Sequence, residues 1–464
     1  MKKCVFNVPG KNVLNNKLLS RSRFTFVRCV FGVLCEICLV FPFTVEAIEF
    51  WAGSAVVPIG IPEGISLAGF GNGDRRNWWF SQNNQAHYFT ASEGTHDPIK
   101  AKALILKMGS EKFVIVSTDL LLVTSAMRQE VWRRVKDLGY QSKDIILSAT
   151  HTHSGPSSYI QNTLFEFLVT DKYVPEIFQH LMKGIEQSIR QAEKNLQVSQ
   201  IAIGTRNIAD VIGNRREGRS LDPVLTVLRI DSVSGEPLAT LVNLPIHPTM
   251  MGATNLWLSA DVPGAIETAL TKKTGAVTLF INGAEGDVTP TGPRGTFANV
   301  NQLGEKISED AFKLWSRLEP QTPSLFKMHV VQRNIGPASL NLFACLHFNQ
   351  WSGTWLPTID SLTQNIELLG IRIDEQVLVT IPGEPTTSIG LRIKELGTIL
   401  GFTSTSVFGL TNDYMGYILE EDEYLTGGYE ACASFYGPTF GEQVYQGAKD
   451  LLEGLAASGS FPHH

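Results

Sequence analysis

The sequence predicts an α/β protein in which one large unit contains most of the 464 residues. Short runs rich in β-branched residues alternate with amphipathic helical stretches from Ile48 to about Gly447. This region contains neither an internal repeat nor a low-complexity linker. With 43% hydrophobic and 18% charged residues, the composition is typical of a folded globular protein.

The strands and helices are predicted from two different hydrophobic periods. Alternation and β-branched residues indicate strands, whereas apolar residues three to four positions apart indicate helices. Several predicted strands run into polar residues, which is where an open α/β sheet usually places its chemistry. The predicted strands are Ala103–Lys107, Phe113–Ser117, Ile145–Ala149, Ile201–Thr205, Leu225–Ile230, Ala239–Leu244, Val277–Ile281 and Gln376–Ile381. The predicted helices are Ser125–Leu138, Val174–Asn195, Val262–Lys273, Asn301–Arg317 and Ser388–Leu396, and the predicted loops are Gly69–Arg76, Pro290–Ala298 and Leu410–Gly428.

The first 47 residues have the pattern of an export signal. A basic lead precedes the apolar run Val30–Val45, in which Glu36 is the one charged residue. The run ends in the small-residue pattern Val45–Ala47, which resembles a signal-peptidase site. We therefore predict a signal peptide over residues 1–47, with a retained N-terminal anchor as the alternative. The protein is expected to be exported, whether secreted, periplasmic or luminal.

Charge and cysteine content exclude two other classes of protein. The formal net charge of −6 argues against a nucleic-acid partner, because phosphate contacts need a clustered basic surface. Beyond residue 47 the sequence contains two cysteines, Cys345 and Cys432, which could pair but need not. This part of the chain therefore lacks both a disulfide scaffold and the paired CxxC units of a structural zinc site.

Two histidines follow the predicted strand Ile145–Ala149, within the segment Ser148–Pro156. His151 and His153 are two residues apart, so both imidazoles lie on one face if the strand continues. Such a pair could bind zinc or act as a general acid and base, because neutral imidazole is a good zinc ligand. The alternative is a pair of loop histidines held by backbone hydrogen bonds.

Two more polar residues follow predicted strand ends in the same way. His247 precedes Pro248 just beyond the strand Ala239–Leu244, and Glu384 follows the strand Gln376–Ile381. Either residue alone is more often structural than functional. Two histidines and one glutamate are nevertheless a known ligand set for a hydrolytic zinc ion with one position open to water.

A glycine-rich segment, Phe280–Pro290, follows the predicted strand Val277–Ile281. Its glycines permit a tight turn, and Asp287 and Thr289 offer a hydrogen-bond acceptor and a hydroxyl group. Taken alone, these residues favour a turn with an Asx-type cap rather than a catalytic site.

In this order along the chain, the motifs resemble those of the neutral/alkaline non-lysosomal ceramidase family. The resemblance extends over about residues 50–447. It implies one large catalytic domain over residues 48–464, with mixed β-sheets flanked by helices and without the family's C-terminal immunoglobulin-like domain. The resemblance is carried by Thr150–Pro156, Ile246–Pro248, Gly286–Pro290, Pro382–Glu384 and the tyrosine-rich segment Gly409–Pro438.

The same resemblance implies a site for one zinc ion per chain, and the spacing leaves a second divalent ion open. The implied zinc ligands are His151, His247, Glu384 and Tyr417.

Four further residues are implied to act beside the metal. His153 would serve as an acid/base group, Tyr429 would hydrogen-bond the substrate amide, and Arg215 would stabilise negative charge on the reacting carbonyl. Thr289 replaces the serine that the family was once thought to use as nucleophile. Its methyl group crowds the hydroxyl, which favours hydrolysis by zinc-activated water over covalent catalysis. Tyr414 is interpreted as structural.

The implied activity is zinc-dependent hydrolysis of the amide bond of ceramide or a related N-acyl lipid. The products would be a free fatty acid and a sphingoid base or other amine. Three alternatives remain: a zinc amidohydrolase or esterase of the same fold with a non-ceramide substrate, a threonine amidohydrolase that uses Thr289, and an inert lipid-binding relative.

The implied partner is an N-acyl sphingoid lipid, and a membrane surface could be a second. Two aromatic-rich stretches could line an acyl-chain groove or face such a surface. The alternative for both stretches, packing of loop side chains on the core, is the more frequent one. These residues are Trp78, Trp79, Phe80 and Tyr88 in the first stretch and Leu164–Phe167 in the second.

Overall fold

Two β-sheets, of eight and four strands, organise the computed structural model, which describes residues 48–71, 73–77, 86–339 and 362–459. Three two-stranded pairs complete the strands of these described ranges. In chain order the strands are β1 (Phe50–Pro58), β2 (Gly94–Thr95), β3 (Lys100–Met108), β4 (Glu111–Thr118), β5 (Ile145–Ala149), β6 (Gln197–Asn207), β7 (Ile212–Asn214), β8 (Val224–Ser232), β9 (Pro237–Leu244), β10 (Trp257–Leu258), β11 (Val277–Asn282), β12 (Val288–Pro290), β13 (Phe326–Asn334), β14 (Asn365–Ile373), β15 (Gln376–Thr380), β16 (Glu384–Pro385), β17 (Ser404–Phe408) and β18 (Tyr417–Ile418).

Both large sheets are mixed, as the sequence predicts. The eight-stranded sheet has the order β11-β9-β8-β6-β1-β3-β4-β5. Its outermost pairs, β9 with β11 and β4 with β5, are parallel, and the pairs between them are antiparallel. The four-stranded sheet has the order β13-β14-β15-β17, and there β15 and β17 form the parallel pair.

Alternating side chains on the strands divide the core into layers, because successive residues of a strand point to opposite faces. In β3, Ala101, Ala103 and Ile105 pack in the cluster that includes the helices, whereas Leu104 and Leu106 pack between the two sheets. The even and odd positions of one strand therefore contribute to two different parts of the core.

An aromatic contact marks the layer between the two sheets. Phe326 of β13 stacks on Phe113 of β4 with ring centroids 5.1 Å apart, and it meets Phe50 of β1 edge-on at 5.6 Å. All three rings are buried, so this layer excludes water and fixes the distance between the sheets.

Helices cover the outer faces of both sheets, which gives a four-layer helix–sheet–sheet–helix arrangement. α3, α4 and α5 pack on the eight-stranded sheet, and α6 and α9 pack on the four-stranded sheet. Within the described ranges the helices are α1 (Ser125–Val135), α2 (Thr163–Phe165), α3 (Pro175–Lys194), α4 (Asp261–Thr274), α5 (Phe297–Trp315), α6 (Thr387–Ile399), α7 (Glu421–Thr426), α8 (Tyr429–Cys432) and α9 (Phe440–Ala457).

The two ends of the eight-stranded sheet come together, because the sheet twists and coils strongly. Strand β11 at one end contacts β4 and β5 at the other. Ser117 Oγ of β4 donates a hydrogen bond to Phe280 O of β11 at 2.6 Å. The segments that follow β5, β9 and β11 therefore meet at one place, although β5 lies at the opposite end of the sheet order from the adjacent strands β9 and β11.

The predicted strands and helices are confirmed, with shifts at their ends. The helix predicted at Asn301–Arg317 begins earlier, at Phe297, because Thr296 caps it by accepting a hydrogen bond from Asn299 N at 3.2 Å. The prediction of a loop over Leu410–Gly428 is wrong in part. That segment contains β18 and α7, and α7 begins at a capping box formed by Glu420 and Glu423.

The predicted signal peptide lies outside the described residues, so it stays a prediction together with the boundary at Ala47. From Ile48 onward the described residues form one compact unit. Cys432 is disulfide-bonded, whereas Cys345 lies outside the described residues. None of the helices in the described part of the chain is long and apolar enough to cross a membrane.

A buried ion triad connects β3, the end of β4 and helix α4. Lys102 Nζ lies 2.5 Å from Asp119 Oδ1 and 2.7 Å from Glu267 Oε2, and all three side chains are almost fully buried. Asp119 also accepts a hydrogen bond from Lys100 N at 2.8 Å, and Glu267 accepts one from Phe280 N at 2.9 Å. Lys102 therefore compensates the charge of two buried carboxylates, although burial still raises the pKa of Glu267 to about 7.

We predict that Lys102→Met lowers the free energy of unfolding by about 3–5 kcal/mol, because it leaves two buried carboxylates without their cation. Urea denaturation at neutral pH would measure the change. The control is Lys313→Met, which removes a half-exposed lysine 3.6 Å from Asp310 and should cost less than about 0.5 kcal/mol. Equal stability of Lys102→Met and the wild type would show that the triad contributes no net stability.

Candidate metal centre

His151 lies in a sharp turn after β5, and its backbone φ of +70° is in the left-handed region. The strand therefore ends before His151. The i,i+2 spacing places His151 and His153 on one face only if the strand continues, so this explanation of their proximity is wrong. Two carbonyls of the preceding loop fix the residue: His151 N donates to Leu120 O at 2.9 Å, and its Nδ1 is 2.7 Å from Leu121 O. The Nδ1–H donates to that carbonyl, so Nε2 presents its lone pair to the centre.

His247 approaches His151 from the segment after β9. Its Nδ1 lies 3.4 Å from Glu285 O, and its Nε2 is 3.1 Å from His151 Nε2. His153 completes a triangle of imidazoles, with its Nε2 at 3.4 Å from His151 Nε2. His153 N also donates to Pro248 O at 3.2 Å, which ties the two histidine segments together.

Asn282, at the end of β11, joins the same two segments through its side chain. Its Nδ2 donates to Ile246 O at 2.9 Å and to Thr150 O at 3.2 Å, while its Oδ1 accepts from Ile246 N at 3.0 Å. None of the sequence motifs assigns a role to Asn282. The signal that could have found it is a polar residue that ends a predicted apolar strand, the same signal that identified the histidines.

Glu384 supplies a carboxylate to the cluster. Its Oε2 is 3.3 Å from His151 Nε2 and 3.8 Å from His247 Nε2, and its Oε1 accepts a hydrogen bond from Tyr414 Oη at 2.7 Å. Burial opposes its ionisation, yet its pKa is lowered overall by the charge of His151 and by hydrogen bonds, including that from Tyr414. Tyr414 therefore orients the carboxylate directly, beyond the structural role that the sequence suggested.

The cluster has the distances and the chemistry of a divalent-cation site. Four ligand atoms around a tetrahedral ion at 2.0–2.1 Å would be about 3.3–3.4 Å apart. His151 Nε2 lies 3.1 Å from His247 Nε2 and 3.3 Å from Glu384 Oε2, close to this value, and His247 Nε2 lies 3.8 Å from Glu384 Oε2. When two facing imidazole nitrogens both present lone pairs, they cannot hydrogen-bond to each other, and Glu384 Oε2 has no hydrogen-bond partner among the described residues. The donor atoms therefore fit a cation between them.

Burial keeps two of the histidines neutral, as metal ligands must be. The pKa of His247 lies well below its ordinary value through burial and the charges of Arg215, His151 and His153. The pKa of His153 is lowered in the same sense by burial, then by His151, Arg75 and Arg215. Because burial and nearby positive charge disfavour protonation of both rings, each ring keeps one nitrogen lone pair.

Tyr417, Arg215 and Tyr429 lie beside this cluster, as the resemblance implies. Tyr417 pairs with Glu384 in the parallel bridge of β16 and β18, and its Oη accepts a hydrogen bond from Arg215 Nη2 at 3.2 Å. The rings of Tyr417 and Tyr429 meet edge-on at 5.6 Å. Arg215 is held by Glu430 Oε1 at 2.6 Å, so its guanidinium is fixed against the two tyrosines.

Thr289 belongs to β12, which pairs with β7 rather than with the strands that supply the histidines. Its Oγ1 accepts a hydrogen bond from Arg294 Nη2 at 2.7 Å, and its side chain is half-exposed between buried neighbours in the strand. Its partner is thus a surface arginine. Asp287, two residues earlier, accepts hydrogen bonds from the backbone and hydroxyl of Thr387 and from Asn214 Nδ2.

Comparison with known proteins shows which family the chain is similar to. The family model for the N-terminal domain of neutral/alkaline non-lysosomal ceramidases matches residues 84–303. The neutral ceramidase of Mycobacterium tuberculosis is 21% identical over 80% of this chain and 71% of its own length. That of Pseudomonas aeruginosa is also 21% identical, over 74% of this chain and 65% of its own. The chain thus spans about two thirds of the length of these relatives.

Solved structures agree in fold. The crystal structure of the neutral ceramidase from Pseudomonas aeruginosa superposes with a TM-score of 0.76 over 89% of this chain and 75% of that one, at 19% identity. A structure described as a ceramidase complexed with C2 gives the same TM-score at 18% identity, over 90% of this chain and 77% of that one. The family model over residues 84–303, the curated relatives and the fold of the solved structures thus agree in their similarity to the neutral/alkaline non-lysosomal ceramidase family.

Proposed function

We propose that this protein hydrolyses the amide bond of ceramide or a closely related N-acyl lipid with the help of one zinc ion. The observation that carries the proposal is the convergence of His151, His247 and Glu384 in a buried cluster of a ceramidase-family fold. Tyr417 is proposed as the fourth ligand, beside the carboxylate that it pairs with. The products would be a fatty acid and a sphingoid base.

The proposed chemistry divides between the metal and the residues around it. When bound, zinc supplies Lewis-acid chemistry, since it lowers the pKa of water and polarises a carbonyl oxygen. His153 is neutral and close to the ligands, so it can accept a proton from the attacking water and donate it to the leaving nitrogen. Arg215 and Tyr429 present N–H and O–H groups that can stabilise negative charge on the carbonyl oxygen.

Support for a lipid substrate comes from the relatives, which are neutral ceramidases, and from the solved ceramidase complex with C2. Two of the described aromatic residues differ in exposure. Phe165 is buried in the core, whereas Phe167 is exposed and stacks under the guanidinium of Arg76 at 4.0 Å. Trp78, Trp79 and Phe80 lie outside the described residues.

Export of the protein is part of the proposal. The disulfide at Cys432 supports an oxidising compartment, because structural disulfides rarely persist in the cytosol. The mass of the mature protein would test this: a chain that begins at Ile48 supports a cleaved leader, and one that begins at Met1 contradicts it.

We predict that His151→Ala and His247→Ala each weaken zinc binding by more than about 100-fold and abolish release of fatty acid from a fluorescent short-chain ceramide. Elemental analysis and the release assay would measure both effects. His180→Ala is the matched control, since His180 is an exposed helical histidine and should retain zinc and activity. Full activity in either site variant would refute the assignment. Bound zinc without ceramide hydrolysis by the wild type would indicate a different N-acyl amide or an ester as substrate.

A second prediction separates water activation from a threonine nucleophile. Thr289→Val keeps the size of the side chain and removes the hydroxyl, so kcat/KM should stay within about threefold of the wild type. Loss of a true nucleophile would cost about 10⁴-fold or more. Steady-state kinetics on the same ceramide would distinguish the two results. A decrease in kcat/KM of about 10⁴-fold would favour covalent catalysis by Thr289.

A further inference from the structure

Glu285 is a second carboxylate of the metal centre to which the motifs assign no role. Its side chain is fully buried, in the turn that follows β11. Its backbone carbonyl is the group that faces His247 Nδ1 at 3.4 Å. Neither of its carboxylate oxygens has a hydrogen-bond partner among the described residues. A buried carboxylate in this state is strongly disfavoured unless a cation or a donor compensates it.

The unpartnered carboxylate points at the donor atoms already described. One oxygen of Glu285, one of Glu384 and the Nε2 or Nδ1 of His151 all lie within 4.8 Å of one another, and all three residues are buried. The nearby guanidinium of Arg215 does not compensate Glu285 by hydrogen bonding. Within the described residues, Arg215 donates instead to Glu430, Gly286 O and Tyr417.

Two glycines make room for the turn that carries Glu285. A Cβ on Gly409 would lie 2.8 Å from Glu285 Oε2 and 2.3 Å from Gly283 O. A Cβ on Gly286 would lie 2.6 Å from Glu384 O. Because Gly409 has no side chain, the Glu285 carboxylate can lie against it, and because Gly286 has none, the Glu384 backbone can lie against that residue. Close packing therefore requires glycine at both positions.

We propose that Glu285 is a further ligand of the metal ion, so that the centre holds one cation between histidine nitrogens and two carboxylates. The inference rests on the metal site of the proposed function and adds a residue to it. Two carboxylates give the centre a harder set of donor atoms than the histidines and Glu384 alone, which accommodates more than four ligands around the ion.

The test uses the full purified chain, stripped of metal with a chelator and titrated with zinc against a chromophoric chelator. Glu285→Gln keeps the size of the side chain and removes its charge, and it should weaken zinc binding by about 10- to 100-fold. Glu384→Gln should weaken binding at least as much. The melting temperature of the metal-free Glu285→Gln protein should remain within about 2 °C of the metal-free wild type, whereas the increase caused by zinc should shrink.

Glu423→Gln is the matched control for a structural role. Glu423 is also fully buried, but it accepts hydrogen bonds from Thr386 Oγ1 at 2.7 Å and Ser388 Oγ at 2.8 Å. Its replacement should lower the melting temperature of the metal-free protein and leave the zinc affinity of the folded protein within about threefold, since it removes a buried hydrogen-bond acceptor and no ligand.

The outcomes separate this inference from the proposed function. Unchanged zinc affinity in Glu285→Gln, with weakened affinity in Glu384→Gln, would overturn the role of Glu285 and leave the metal site intact. A lower melting temperature of metal-free Glu285→Gln with unchanged affinity would make the residue structural. Two zinc ions in the wild type and one in Glu285→Gln would overturn the single-ion centre. No zinc binding by the wild type would overturn both proposals.

Discussion

The metal centre depends on the hydrogen bonds of one side chain, the amide of Asn282. Its carboxamide binds the backbone on both sides of the centre, Thr150 next to His151 and Ile246 next to His247. These histidines follow strands at opposite ends of an eight-stranded sheet, so they meet only because the sheet coils until β11 reaches β4 and β5. A buried amide that satisfies three backbone groups is costly to replace, because each partner would lose its hydrogen bond in the interior.

The electrostatics of the centre follow from this arrangement. Backbone carbonyls face Nδ1 of His151 and His247, burial keeps the ring of His247 neutral, and Glu384 remains ionised although it is buried. Arg215 brings a positive charge, but Glu430 pairs with it at 2.6 Å. The donor atoms of His151, His247 and Glu384 thus lie close together around one point. Such a cluster is stable in a protein interior when a cation occupies it.

The sequence predicts most strands of the two large sheets, the outer helices and the polar residues at strand ends, because alternation and strand-end polarity are local properties. It cannot predict the coiling of the sheet, which arises from packing between strands that are distant in the chain. His151 and His153 converge through a left-handed turn at His151, whereas the i,i+2 argument assumed a continued strand. Tyr414 acts through a bond to a distant segment, so no local pattern identifies it, whereas Asn282 ends an apolar strand and carries the same local signal as the histidines. The leader and three of the aromatic residues lie outside the described residues, where the prediction stands alone.

The glycine-aspartate-valine-threonine-proline segment has a physical explanation that requires no nucleophile. Asp287 accepts hydrogen bonds from Thr387, which begins the helix just after Glu384, and from Asn214, which precedes Arg215. Its own carbonyl accepts from Arg215 N at 2.8 Å. Asp287 thus links the segment that carries Glu384 to the segment that carries Arg215 and fixes their distance. The hydroxyl of Thr289, two residues later, instead accepts a hydrogen bond from Arg294.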